Sequence, residues 1–482
     1  MDLNSKPMLR KRSPDRLTAS SLGLRRGDDK DDKLRHHHAE VERRRSGDLL
    51  DSINAKDRQY LWHPFTQHKQ EHVPLVIEKA EGAYLYTADG RKLFDGISSW
   101  WANLHGHCHP KIIEAVNAQF KRIDHVMFAG FTHEPAVNLA ESLLNILPSS
   151  MGKIFYSDNG STAVETALKI SLQYGANRGQ ARKKFIAFRN AYHGDTFGAM
   201  SVSERGAFTE PFHGHLCPEV RWISPPLLTQ VRGLSYAQLK TLLEQEGDDL
   251  VAFIYEPLIQ GAAGMLVQDA GELDSLLGLA KKYGVLCIAD EVMTGFGRSG
   301  RLFASDYMEN KPDLVCLSKG LTGGVMPLGV TACSSAIFEE FLSPDPKKTL
   351  YHGHTFTANP LGCAAALASL ELLQSSECQE NRRSIQRAHE AFVEKIKGSS
   401  SHECFQDIRQ IGTLLALEFK TQKGSGYFNE LKDKMYTFFI SRGLLLRPLG
   451  NVLYVLPPYC STDEDMEMVY ENILEFTKQL QE

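Results

Sequence analysis

Between residues 150 and 335 the chain repeats one pattern, a short apolar run of strand type followed by a stretch with helical spacing. The runs are Ile154-Phe-Tyr156, Phe185-Ile-Ala-Phe188, Val251-Ala-Phe-Ile-Tyr255, Val285-Leu-Cys-Ile-Ala289, Leu314-Val-Cys-Leu317 and Leu328-Gly-Val-Thr-Ala332. Such alternation predicts an α/β architecture, a mainly parallel sheet covered by helices. Upstream, residues 110–147 look helical, with Ile112, Ile113, Val116 and Phe120 at helix spacing. Residues 74–97 alternate apolar and polar around Gly82 and Asp89-Gly90, which predicts short antiparallel strands. The last hundred or so residues read as α+β, with strands at Leu414-Leu-Ala-Leu-Glu-Phe419 and Val452-Leu-Tyr-Val-Leu456. The expected organisation is a disordered extension over residues 1–57, a first part of a small domain over 58–97, a large domain over 98–374 and the rest of the small domain over 375–482.

In an open α/β sheet, ligands bind beyond the carboxyl ends of the strands. Two residues stand at such ends. Asp290 closes Val285–Ala289, and Lys319 follows Leu314–Leu317 by two residues. A lysine and an aspartate placed there are what a pyridoxal phosphate site requires. The amine forms a Schiff base with the aldehyde, and the carboxylate keeps the pyridinium nitrogen protonated so that the ring accepts electrons.

Ser157-Asp-Asn-Gly-Ser-Thr162 follows a strand and opens a helix whose buried stripe would be Ala163, Ala167, Ile170 and Tyr174. Small residues there expose backbone N–H groups to an anion, so Gly160 and Ser161 are candidates for a cofactor phosphate. A plain helix cap would use the same residues. Tyr192, in Asn190-Ala-Tyr-His-Gly-Asp195 after another strand, can stack on a flat heteroaromatic ring or simply pack as a loop aromatic. Trp100-Trp101 suits an apolar substrate channel or core packing, and Arg447 among leucines suits a bound carboxylate or a structural ion pair.

Two further patterns carry less. Gly295-Phe-Gly-Arg-Ser-Gly300 has the G-x-G-x-x-G form but stands five residues beyond Asp290, with no acidic strand end about 20 residues on as a dinucleotide site requires. His105-Gly-His-Cys-His109 is followed directly by Pro110 and has no second ligand pair at zinc spacing, which points to a loop held by hydrogen bonds.

Composition excludes several classes of function. A net charge of −5 gives no footprint for nucleic acid, and no apolar stretch approaches the length of a membrane span. Nine scattered cysteines, several inside strand-like runs, suit buried thiols in a reducing, cytoplasmic compartment. Residues 1–57 are rich in Arg, Asp and Ser, include Arg43-Arg44-Arg45 and His36-His37-His38, and lack the apolar core of a secretory signal.

Together these motifs resemble the class III aminotransferases, pyridoxal-phosphate enzymes of fold type I, from about Tyr60 to the C-terminus. The residues that carry the resemblance are Leu61-Trp-His-Pro-Phe-Thr66, Gly96-Ile-Ser-Ser-Trp-Trp101, Tyr192-His-Gly-Asp-Thr-Phe-Gly-Ala-Met-Ser-Val202, Asp290-Glu291, Thr294-Gly-Phe-Gly-Arg298, Leu317-Ser-Lys-Gly-Leu-Thr-Gly-Gly324 and Gly353-His-Thr-Phe356. The Trp-Trp pair and the Tyr192–Met200 run narrow it to the branch that serves biotin synthesis.

The resemblance implies a homodimer with shared active sites. Lys319 is the cofactor lysine, Asp290 the partner of the pyridine nitrogen, Gly160 and Ser161 hold the phosphate, and Tyr192 stacks on the ring. Thr355 reaches the phosphate in the neighbouring subunit. Trp100, Tyr192, Lys319, Gly353, Arg447 and Phe65 contact substrate, with Arg447 on the carboxylate. The implied reaction is ping-pong transfer of an amine to 8-amino-7-oxononanoate, the freed Lys319 amine moving the Cα proton with a pKa lowered by burial. Phe65 stands where relatives often carry Tyr, which leaves the donor open between S-adenosylmethionine, the default, and lysine. A general class III ω-aminotransferase would share Lys319 and its chemistry.

Overall fold

The computed structural model describes residues 50–69, 73–180, 182–206, 208–422, 424 and 426–481. The chain divides into two compact units, Met1–Val76 and Ile77–Glu482. In the first, residues 50–60 are helical, with Leu50, Asn54 and Asp57 as a half-buried face at i, i+4 and i+7. The last residues of the 1–57 stretch therefore belong to a helix despite their polar composition, while the His36–His38 and Arg43–Arg45 blocks lie outside the described residues.

The second unit opens with β1 (Ile77–Glu81), β2 (Tyr84–Thr87) and β3 (Lys92–Asp95), an antiparallel meander as the alternation of residues 74–97 predicts. The stretch 110–147 resolves into two helices, Pro110–Phe120 and Glu134–Leu144. Each carries Pro in its first turn and is capped by a histidine, His109 accepting from Lys111 N and His133 from Ala136 N.

The central strands are β4 (Met151–Ser157), β5 (Lys184–Phe188), β6 (Val220–Ile223) and β7 (Leu250–Tyr255), followed by a two-residue hairpin of β8 (Ile259–Gln260) and β9 (Leu266–Val267), then β10 (Leu286–Asp290), β11 (Leu314–Leu317) and β12 (Gly329–Ser334). Seven of them form one sheet in the order β4-β12-β11-β10-β7-β5-β6. All neighbours pair in parallel except at β12, which runs antiparallel to both β4 and β11. In β5, Phe185 and Ala187 pack with the helix Gly160–Asn177, while Ile186 and Phe188 pack with Leu234–Glu246 and Ala270–Lys282 on the other face. Leu286 and Ile288 of β10 divide from Cys287 and Ala289 in the same way. Each such fully buried Leu, Ile or Phe contributes roughly 1.5–3 kcal/mol. That burial on both faces is why the runs look uniformly apolar in sequence. β6 was not expected, because Arg221 interrupts its short apolar run at the edge of the sheet.

The C-terminal part supplies β13 (Phe405–Ile411), β14 (Leu414–Phe419), β15 (Leu444–Leu445) and β16 (Val452–Val455). β13, β14 and β16 form an antiparallel sheet. β15 instead joins the N-terminal meander, parallel to β3, with Leu444 opposite Phe94 and Leu445 opposite Asp95. Residues some 350 positions apart in sequence are thereby launched side by side. All nine cysteines are free, and among the described residues no helix is long and apolar enough to cross a membrane.

Candidate active site

The carboxyl ends of β5, β7, β10 and β11 lie along one edge of the sheet, and each delivers a polar group. Asp290 ends β10 opposite Cys316 of β11. Its carboxylate is buried, Oδ2 lying 2.7 Å from His193 Nδ1 and Oδ1 accepting from Val292 N at 3.1 Å. His193 comes from the loop after β5, where its own N–H donates to Ser203 Oγ at 2.8 Å. Its Nε2 is buried and has no hydrogen-bond partner among the described residues.

Lys319, two residues beyond β11, has φ 45°. Its amine sits 4.4 Å from the centre of the Trp101 ring. Burial pushes that amine down to about 8, against the opposing pull of the Asp290 and Glu256 carboxylates. Glu256 follows β7 and accepts from Tyr192 N at 3.0 Å and Gly261 N at 2.9 Å. Burial nonetheless pushes it up to about 7, with His193 and the Tyr192 N–H acting the other way.

The helix Gly160–Asn177 opens beside this group. Asn159 caps it, its side chain accepting from Thr162 N while Thr162 Oγ1 accepts from Asn159 N. The backbone N–H groups of Gly160 and Ser161, in the first turn, have no partner within the helix and suit an anion. Ser161 Oγ accepts from Asp195 N at 3.2 Å, and Tyr192 O–H donates to Asp195 Oδ2 at 3.0 Å. Two glycines permit this close approach. A Cβ on Gly194, which has φ 131°, would collide with Ser161 Oγ, and one on Gly160 would fall 2.7 Å from Val292 Cγ1. Two N–H groups at a helix start, a buried carboxylate, an amine of depressed pKa and a nearby phenol make up a donor set that fits pyridoxal phosphate.

The two tryptophans divide their work. Trp101 is buried, faces Lys319, and donates from Nε1 to Tyr454 Oη at 3.0 Å. Trp100 is 37% exposed and carries the Arg447 guanidinium 4.2 Å above its ring centre. Arg447 follows β15 by two residues and makes no ion pair among the described residues. The structure thus brings Lys319, Asp290, Tyr192, Gly160 and Ser161 into one group, and Trp100 and Arg447 into a second joined to it through Trp101.

Thr355 and Gly353 lie on an exposed loop against the helix Gly160–Asn177, held where Lys169 Nζ donates to Tyr351 O at 3.2 Å. Phe65, in the first unit, is exposed with φ 52°. The Gly295–Gly300 turn is structural. Arg298 is buried and donates to the carbonyls of Pro457, Trp101 and Asn103 at 2.8, 3.3 and 3.2 Å. The His105–His109 loop is held by hydrogen bonds, from His105 Nε2 to Ser369 Oγ and His107 Nε2 to Asp95 Oδ2.

Three features of the site are not among those that the sequence motifs single out. Glu256 closes the apolar run Val251–Tyr255 just as Asp290 closes its own, so the same rule would have found it. His193 lies inside the Tyr192–Val202 motif, but nothing local in the sequence points to Asp290 as its partner. The pairing of Trp101 with Lys319 had no local signal.

Fold and site together define a pyridoxal-phosphate-dependent aminotransferase of fold type I. The model of the family "Aminotransferase class-III" matches residues 65–476, and the chain belongs to that family. It is 45% identical over 428 residues to an adenosylmethionine-8-amino-7-oxononanoate aminotransferase of Synechococcus elongatus, covering 87% of this chain and 99% of that one. It is similar to the crystal structure of the enzyme of that name from Methanocaldococcus jannaschii, with a TM-score of 0.84 at 35% identity over 89% of this chain and 99% of that one. An (S)-enantioselective ω-transaminase from Thermomicrobium roseum has a TM-score of 0.82 at 28% identity, covering 90% and 99%.

Proposed function

We propose that this enzyme transfers an amino group to the 7-keto carbon of 8-amino-7-oxononanoate, giving 7,8-diaminononanoate, with S-adenosylmethionine as donor. One observation carries the reading. The Arg447 guanidinium lies over Trp100 without an ion pair among the described residues, beyond the Trp101 ring that faces Lys319. An aliphatic keto acid with one remote carboxylate calls for that arrangement, an aromatic wall ending in a guanidinium. The names of the relatives support the same acceptor and donor. A general ω-aminotransferase is the second reading, favoured by fold neighbours such as the Thermomicrobium enzyme.

In this proposal Lys319 holds the cofactor, which supplies an electron-accepting ring and carries the amino group between the two substrates. Asp290, held by His193, would accept a hydrogen bond from the protonated ring nitrogen and keep its proton in place, Gly160 and Ser161 would hold the phosphate, and Tyr192 would cover the ring. The freed Lys319 amine, of pKa about 8, takes the donor's Cα proton and returns one to the acceptor side. Thr355 completes the phosphate site of a second subunit, and Gly353 borders the substrates. Exposed apolar residues Ile113, Phe120, Met127, Phe131, Val137 and Phe356 support a homodimer. The pairing of β3, within the expected stretch 58–97, with β15 supports a small domain shared with residues 375–482 beside a large one over 98–374. Free thiols suit the cytoplasm.

The test is acceptor choice. Protein loaded with pyridoxamine phosphate returns to the aldehyde form with 8-amino-7-oxononanoate, and the reading fails if pyruvate does as well.

A further inference from the structure

Both tryptophans stand on an unusual piece of backbone. Ser98, Ser99, Trp100 and Trp101 have φ of 50°, 45°, 73° and 73°, four consecutive non-glycine residues in the left-handed region. Only single residues visit that region routinely, and for a bulky side chain it is an outlier. A run of four persists only where its surroundings hold it, and such runs gather at functional sites.

Asp95 is the holding group. It is the last residue of β3, and its side chain is 0% exposed. Oδ1 accepts from Ser99 N at 2.9 Å, and Oδ2 accepts from Ser99 Oγ at 2.8 Å. His107 Nε2 lies 2.9 Å from the same Oδ2 and fixes the carboxylate from outside the turn. A buried carboxylate needs all of these donors, because an unpaired one is costly. A second anchor, Ser98 Oγ, donates to Leu456 O at 2.7 Å, and Trp101 N closes onto Ile97 O at 2.8 Å.

The left-handed turn gives the two indoles different partners. Trp101 meets Lys319 and Tyr454, while Trp100 meets Arg447. Asp95 pairs in register with Leu445, two residues before Arg447, so the same strand ends set both sides of the Trp100–Arg447 contact. We infer that Asp95, braced by His107, is a positioning residue for substrate specificity, which clamps the Ser98–Trp101 turn so that Trp100 and Arg447 together receive the acceptor's carboxylate end. The role given to Trp100 and Arg447 rests on the proposed function; the clamp itself does not.

The experiment joins three variants to two readouts. Asp95→Asn keeps one acceptor for the Ser99 N–H and loses the carboxylate's other oxygen, and Ser99→Ala removes one bond from an exposed residue without touching the core. In steady state, KM for 8-amino-7-oxononanoate rises about tenfold in Asp95→Asn and about threefold in Ser99→Ala, with kcat within about twofold, in the range expected for losing charge-assisted hydrogen bonds. In a Trp100→Leu background the same changes add less than about twofold, the coupling expected of one unit. The second readout needs no cofactor: iodide quenches tryptophan fluorescence of the apo-protein more strongly in Asp95→Asn than in the parent. Unchanged KM and unchanged quenching in Ser99→Ala and Asp95→Asn, with only a lower melting temperature, overturn the inference. Additive effects with Trp100→Leu overturn it too. If Trp100→Leu alone leaves KM unchanged while Asp95→Asn still increases quenching, the acceptor assignment fails and the clamp stands.

Discussion

Replacing Arg447 by methionine keeps most of the side chain's length and removes the guanidinium, so it isolates the charge. In the structure that charge lies 4.2 Å above the Trp100 ring and has no ion pair among the described residues. A carboxylate arriving there gains charge-assisted hydrogen bonds, worth about 1.5–3 kcal/mol net. At about 1.4 kcal/mol per decade this is a roughly 10- to 150-fold change in affinity. Trp100 is 37% exposed, so its face adds toward the low end of about 0.5–2 kcal/mol for a cation over a ring. Arg447→Met is therefore expected to lower kcat/KM for 8-amino-7-oxononanoate by about 10- to 100-fold, mostly through KM. Stopped-flow reaction of pyridoxamine-phosphate-loaded protein with the acid and with its methyl ester separates charge from general damage. The parent protein favours the acid by that factor, and the variant treats acid and ester alike. A variant that loses rate equally on both, or keeps the parent's preference, refutes the assignment.

Further consequences can be measured separately. Lys319→Ala loses the borohydride-reducible cofactor linkage seen in the parent by peptide mass, and survival of a linkage at another lysine removes Lys319 from its role. Gly194→Ala forces a methyl group into Ser161 at a backbone of φ 131°, so cofactor affinity measured by fluorescence titration falls by about tenfold or more. Glu256 is raised from 4.5 to about 7, so the folded apo-protein holds a proton that the unfolded chain releases between those values. Its contribution is fully present below pH 4.5 and is lost as pH rises to about 7, by roughly 3 kcal/mol, in urea melts of the apo-protein. Glu256→Gln flattens that slope, and an unchanged slope contradicts the assignment. Lys319, depressed from 10.5 to about 8, acts with the opposite sign, so stability recovers as pH rises between those values.

The large sheet was legible in the sequence because burial on both faces leaves uniformly apolar runs, and five of its seven strands carry that mark clearly in β5, β7, β10, β11 and β12. Asp290 and Lys319 were legible for a related reason, since a polar residue at the end of such a run faces the ligand edge. β6 was not, because an edge strand tolerates Arg221 and loses the signal. The left-handed turn at Ser98–Trp101 had no signature either. Its conformation is imposed by Asp95 and by contacts with residues near 456, and tertiary restraint of this kind leaves no mark in local residue preference. For the same reason Trp100 was expected at the site while the partner of Trp101 was not.

Whether this site selects its acceptor by the remote carboxylate is decided by the acceptor half-reaction followed by absorbance. Pyridoxamine-phosphate-loaded protein is mixed with 8-amino-7-oxononanoate, with pyruvate, or with a neutral ketone of equal length. Rapid return to the aldehyde form is expected with the first alone, and that selectivity is expected to be lost in Arg447→Met. An equal response to pyruvate, or to the neutral ketone, contradicts it.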